Sequence, residues 1–223
     1  MPPVHPSIPF TPDLVIYHSN CCDGFGAAWV LRQRFGPQMQ FMPATHGYPP
    51  DPALLLDRNV VMVDVGFPRA THLKLQRAAR QMVLLDHHPS TRDEIGDLDG
   101  VYFDDSRSGI GLAWDACFPG QPRPRLGDLI EDRDLCQNHI PQSKWLCLLD
   151  GMPMDFDAWD AFSSRLDNDP GRVADDAALV STHEQMAIDR VIDHAIPIKM
   201  GELVGWQVNA PHDMAYRVCV DLA

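Results

Sequence analysis

The chain is short of basic residues: 18 Lys and Arg stand against 31 Asp and Glu, a net charge of -13 over 223 residues. Gripping duplex DNA takes a basic face that displaces counterions, so that class is excluded. A small phosphate-bearing ligand is not excluded, because bound cations reverse the field inside a carboxylate-lined cleft. The six cysteines contain no CxxC pair: Cys21 and Cys22 are adjacent, and Cys117, Cys136, Cys147 and Cys219 are scattered. That removes the usual basis of a structural zinc site. No apolar run approaches the roughly 20 residues of a membrane span. Pro2, Pro3, Pro6, Pro9 and Pro12 make residues 1–12 a proline-rich tail, with neither the basic start nor the apolar run of a secretory leader. The expectation is a cytoplasmic protein with reduced thiols and no membrane partner.

What the sequence does contain is a set of short apolar runs alternating with helical patterns. Leu14–His18 (LVIYH), Met39–Met42, Asn59–Asp64 (NVVMVD) and Met82–Leu85 read as buried strands. Phe25–Phe35 and Arg69–Arg80 read as helices between them. Such alternation predicts an α/β fold with a parallel sheet flanked by helices. Beyond it, Ser108–Cys117 and Leu126–Asp134 read as helices, and Ser143 to Pro197 is mostly helical in character. Leu203–Val208 and Tyr216–Leu222 turn back towards strand. The expected organisation is a domain over 13–170, a helical linker over 171–197, and a further piece over 198–223.

Three of the strands run out into residues that bind metals: His18 with Asp23, then Asp64, then Asp86-His87-His88. Ligands of open α/β sheets sit beyond the carboxyl ends of the strands, so these groups converge on one edge. With Asp132 they form a mixed nitrogen and oxygen donor set, suited to Mn²⁺ or Mg²⁺. Singly each residue is ordinary. Asp64 reads as a cap, and Asp132 belongs to an acidic helix face with Glu131 and Asp134.

Together they resemble a known family. Tyr17–Trp29 (YHSNCCDGFGAAW), Val61–Asp64 (VMVD), Leu84–Pro89 (LLDHHP) and Ile130–Leu135 (IEDRDL) are similar, in order and spacing, to the four motifs of the DHH phosphoesterase superfamily. The likeness is to its oligoribonuclease and cyclic-nucleotide phosphodiesterase branch, and it spans about Leu14 to Leu135. Arg107-Ser108-Gly109 resembles the stretch between the third and fourth motifs. The resemblance implies two Mn²⁺ or Mg²⁺ ions and a short RNA, dinucleotide or other nucleotide substrate, with a homodimer as an open option. It implies His18 and Asp23 as ligands, Asp64 as the bridge between the ions, and His87 with Asp132 at the second ion. Asp86 would be a ligand or would hydrogen-bond a histidine from behind. His88 would face the substrate phosphate, and Arg107, Ser108 and Arg133 would contact substrate. His88 and Asp86 are thus the candidate catalytic pair.

Two departures stand out. Many members carry two aspartates in the first motif, and here Asn20, Cys21 and Cys22 precede Asp23. Asn20, Cys21 or water would fill that gap. The glycine-rich GGGH-like segment of the second domain is missing as well, so 198–223 is expected to be the start of a truncated or reduced second domain. A phosphomonoesterase or pyrophosphatase with the same metals, or a weakly catalytic metal- or nucleotide-binding module, is the alternative reading.

Overall fold

The computed structural model describes residues 6–211 and 214–222; the first five residues of the proline-rich tail lie outside that range. Two compact units meet at Pro170 and Gly171. The first holds β1 (Leu14–His18), α1 (Cys22–Phe35), β2 (Gln40–Ala44), β3 (Asn59–Val63), α2 (Arg69–Ala78), β4 (Gln81–Asp86), α3 (Pro89–Ile95) and β5 (Val101–Phe103). It continues through α4 (Gly109–Cys117), α5 (Arg125–Asp134), α6 (Cys147–Asp150) and α7 (Phe156–Asn168).

The fold is α/β, as the alternating pattern predicts. All five strands are parallel, in the order β2-β1-β3-β4-β5. Successive strand residues point to opposite faces. One face, with Leu14, Ile16, Val60, Met62 and Leu84, packs on Leu75 of α2 and Ile95 of α3. The other is covered by α1 and α4, which also pack against each other, and α5 joins that layer. β1, β3 and β4 are buried apolar runs because both faces are covered. The strand order reverses between β1 and β3, which makes their carboxyl ends the topological switch point.

The second unit comprises α8 from Gly171 onward (α8 spans Pro170–Ile192), an antiparallel hairpin of β6 (Ile196–Met200) and β7 (Leu203–Gln207), and α9 (Ala215–Leu222). One expectation is corrected here. Tyr216–Leu222 is helical, with Arg217 bonded to Glu184 and Gln185 of α8. Residues 171–223, expected as a linker and a further piece, form one compact unit. Among the described residues no helix is long and apolar enough to cross a membrane, and none of the six cysteines forms a disulfide.

Candidate metal centre

Local sequence builds the site at the ends of β1, β3 and β4. After β4, Pro89 occupies the first turn of α3 and holds His88 extended at the N-cap. Asp86-His87-His88 is thereby an elbow between strand and helix. Asp86 is fully buried, and its Oδ1 accepts the His87 N–H at 2.8 Å and the His88 N–H at 3.2 Å. The same oxygen lies 2.7 Å from His88 Nδ1, while Oδ2 accepts the Thr91 hydroxyl at 2.6 Å. Of the two roles left open for Asp86, this is the geometry of the orienting one.

Asp64 follows β3 in the left-handed region, at φ 59°, its N–H bonded to the Leu85 carbonyl at 2.9 Å. Asp tolerates that conformation better than most residues, but at some cost, and such strain clusters at functional sites. Its carboxylate stands at the centre of the cluster. Oδ1 lies 3.2 Å from His87 Nε2 and 3.8 Å from His88 Nδ1. Oδ2 lies 3.4 Å from His18 Nδ1 and 3.5 Å from Cys21 Sγ.

Asp23, in the first turn of α1, is held by the neighbouring helix α4. The N–H groups of Gly109 and Ile110, at the start of α4, both donate to its carboxylate, the second at 2.9 Å. Donation from a helix N-terminus favours negative charge at that position. Asp134, the last residue of α5, completes this side: its Oδ2 is 3.5 Å from His87 Nε2, which is also 3.7 Å from Asp23 Oδ2.

The cluster thus brings together His18, Asp23, Asp64, Asp86, His87 and His88, as expected from the strand ends. Asp132 is not in it. Its carboxylate accepts the N–H groups of His139 and Ile140 and the Ser143 hydroxyl, fastening the turn after α5. Arg107 and Ser108 are also placed elsewhere, in a network behind α4. Arg107 bonds Asp115 and Glu131, the Ser108 N–H donates to Glu131 Oε2 at 3.1 Å, and Arg123 pairs with Glu131 at 2.7 Å. This network fixes the α4 start that grips Asp23. Arg133 does line the cleft beside the cluster, paired with Asp150 at 3.0 Å. That cleft, of about 360 Å³, is walled by His18, Cys21, Cys22, Asp23, Arg133 and Asp134 among others.

Two residues of the site went unforeseen. Asp134 was read as part of an acidic surface. His46, in the loop after β2, packs its ring 4.6 Å from that of His18 and 5.5 Å from that of His88. Its only sequence signal is that it follows a strand of the same sheet.

No protein-family model matches the chain. An uncharacterized protein of Acanthamoeba polyphaga mimivirus is 28% identical over 167 residues, covering 67% of this chain. The match covers 40% of the viral protein, so the chain spans well under half the length of that relative. The crystal structure of an uncharacterized protein from Helicobacter pylori superposes with a TM-score of 0.50 over 93% of this chain and 78% of that one. At 13% identity that likeness concerns the fold alone.

The electrostatics of the cluster are those of a buried acid group seeking positive charge. Burial, then the charges of Asp64 and Asp134, push the Asp23 carboxyl well above the ordinary carboxylate range. Burial acts the same way on Asp64, but its contacts with His18, His87 and His88 outweigh it and hold that carboxyl low. Burial pushes Asp134 up. It would lower His87, yet Asp64, Asp23 and Asp134 carry that imidazole up to about 9. The hydrogen bond to Asp86 raises His88, whereas burial and the neighbouring His18 and His88 lower His46.

Among the described residues no lysine or arginine forms an ion pair with Asp23, Asp64 or Asp86; their partners are histidines. A divalent cation would supply the missing charge directly. The donors fit one. His18 Nδ1 is buried with only a loose 3.4 Å approach to Asp64 Oδ2, and a nitrogen and an oxygen so spaced suit a shared ion.

Proposed function

We propose that the chain is a divalent-metal-dependent phosphoesterase that hydrolyses phosphodiester bonds in short oligoribonucleotides or in linear or cyclic dinucleotides. The observation that carries this reading is the Asp64 carboxylate. Its Oδ2 faces His18 and Cys21 while its Oδ1 faces His87 and His88, so one buried carboxylate serves two separate donor sets. A carboxylate so placed could be shared by two ions. The four-motif resemblance to DHH phosphoesterases supports the same assignment.

Mn²⁺ or Mg²⁺ held there would supply Lewis acidity at the phosphoryl oxygens and would lower the pKa of an attacking water. Asp64 would serve both positions, with His18 on one side and Asp23, His87 and Asp134 on the other. His88 has Nδ1 tied to Asp86, so Nε2 is the ring nitrogen that meets the phosphate and passes a proton to the leaving oxygen. Its half-buried ring needs that orienting bond, as imidazoles at metal centres commonly do. Arg133, on the cleft wall, binds a non-bridging phosphate oxygen.

The size of the cleft and the net charge of the chain support a short substrate. About 360 Å³ lies at the low end of small-ligand pockets and takes one nucleotide unit rather than a strand. The chain's net charge of -13 also disfavours a long polyanion. The test is hydrolysis of a dinucleotide by the purified chain with Mn²⁺, compared with Asp64→Ala. Cleavage is expected in the first and none in the second. Mn²⁺ bound with no turnover of any phosphoester would overturn the assignment.

A further inference from the structure

The first motif lacks the second carboxylate common in the resembling family, and the structure places a sulfur in the space around Asp64. Cys21 is the N-cap of α1, between the end of β1 and the site. Its Sγ lies 3.5 Å from Asp64 Oδ2, and His18 Nδ1 lies 3.4 Å from the same oxygen. All three donor atoms fall within 4.8 Å of one another. Two ligand atoms about 2.0–2.3 Å from one ion, at the tetrahedral angle, stand roughly 3.5 Å apart. Both observed separations match that value.

A second observation points to the same place. A buried imidazole nitrogen ordinarily finds a well-formed hydrogen bond, yet His18 Nδ1 is buried with only the loose 3.4 Å approach to Asp64 Oδ2. The neighbouring thiol behaves differently: Cys22 Sγ turns to Asp150, at 3.8 Å, and faces neither His18 nor Asp64. The choice between the two adjacent cysteines is therefore made by the fold.

We propose that Cys21 is a metal ligand, holding with His18 and Asp64 the ion on the Oδ2 side, and that this position takes a borderline-soft divalent ion such as Co²⁺ or Zn²⁺ in preference to Mg²⁺. This assignment rests on the metal-centre reading above. Thiolate donors favour such ions, while all-oxygen sets suit Mg²⁺. Ligation breaks the S–H bond and releases its proton to solvent as the sulfur–metal bond forms. The two positions thereby become chemically distinct. The Oδ1 side has imidazole and carboxylate donors alone, and the Oδ2 side adds sulfur.

The experiment is a Co²⁺ titration of the whole chain followed by absorbance, with equilibrium dialysis for stoichiometry. A sulfur-to-cobalt charge-transfer band is expected in the near ultraviolet, saturating at one sulfur per chain. Cys21→Ser should lose the band and weaken Co²⁺ binding by about 10–100-fold or more, the loss seen when even an indirect supporter of a ligand is removed. Cys22→Ser should keep the band. The wild-type spectrum decides the matter whatever the folding of the variants: Co²⁺ bound by dialysis with no such band overturns the sulfur ligand and leaves the metal centre standing. A band that persists in folded Cys21→Ser overturns it equally. No Co²⁺, Zn²⁺ or Mn²⁺ bound at all removes the metal-centre reading, and the sulfur ligand with it.

Discussion

Gly109→Ala tests the architecture of the site without replacing any proposed ligand. Gly109 is the first residue of α4, and a Cβ there would stand 2.7 Å from Asp23 Oδ2 and 2.8 Å from Asp64 Cβ. Carbon contacts relax only near 3.5 Å, so one group must move by about 0.7 Å. Neither neighbour yields easily. Asp23 is pinned by the α4 N–H groups that the methyl would push away, and Asp64 is fixed by its bond to Leu85 and its left-handed backbone. Overpacking of this kind costs about 1–3 kcal/mol. At roughly 2–4 °C per kcal/mol for a chain of this size, the melting temperature should fall by about 2–12 °C. The effect on metal should be larger in proportion, because ligand positions are held to about 0.2 Å and the shift exceeds that. Mn²⁺ affinity by calorimetry should drop on the order of 10–100-fold. Gly171→Ala, where a Cβ meets nothing within 4 Å, is the control and should leave binding unchanged. Wild-type Mn²⁺ affinity in Gly109→Ala would refute the claim that the α4 start shapes the centre.

Two further outcomes follow from the same geometry. Asp134→Asn should weaken Mn²⁺ binding, whereas Asp132→Ala should leave it intact and cost about 1–3 kcal/mol of stability, since Asp132 accepts three hydrogen bonds from the turn after α5. The reverse pattern in a paired titration and melt would return the ligand role to Asp132. His72 is buried on α2, and that burial pushes its imidazole from 6.5 down to about 4. The folded value lies below the unfolded one, so stability is full above about pH 6.5 and falls as the pH drops towards 4, by up to about 3 kcal/mol. His72→Leu should remove that component, so the stability difference between wild type and variant should slope across this window; a flat difference would sink the assignment.

Much of the fold was legible because a parallel sheet covered on both faces writes itself as continuous apolar runs. β1, β3 and β4 stand within a residue of their expected bounds for that reason. The convergence of His18, Asp64 and Asp86-His87-His88 followed from the same logic, since parallel strands end on one edge. Failures came where a partner distant in sequence decides the outcome. β5 is three residues long and is a strand only through its pairing with β4. Tyr216–Leu222 alternates like a strand, with Val218, Val220 and Leu222 in step. It folds as a helix whose Arg217 binds α8. Arg107 looked like a phosphate contact by proximity to the motifs, and its partners Asp115 and Glu131 lie 8 and 24 residues away.

The acidic end of α5 shows why a motif places a region more surely than a residue. Glu131, Asp132 and Asp134 fall within one turn, and each helical residue advances about 100° around the axis. Asp132 and Asp134 are therefore about 200° apart and cannot face the same site. Read as a string, the three acids are interchangeable members of a solvated face. In the structure each has a separate task. Glu131 turns to the Ser108 N–H and the two arginines behind α4, Asp132 turns to the chain after the helix, and Asp134 alone reaches His87. The first and last tasks meet at the metal centre: Glu131 fixes the α4 start that donates to Asp23, and Asp134 sits across His87 from that same aspartate. α5 thus acts on the centre twice, once through the backbone of α4 and once directly. Asp132, between those two acids, fastens the turn that ends the helix.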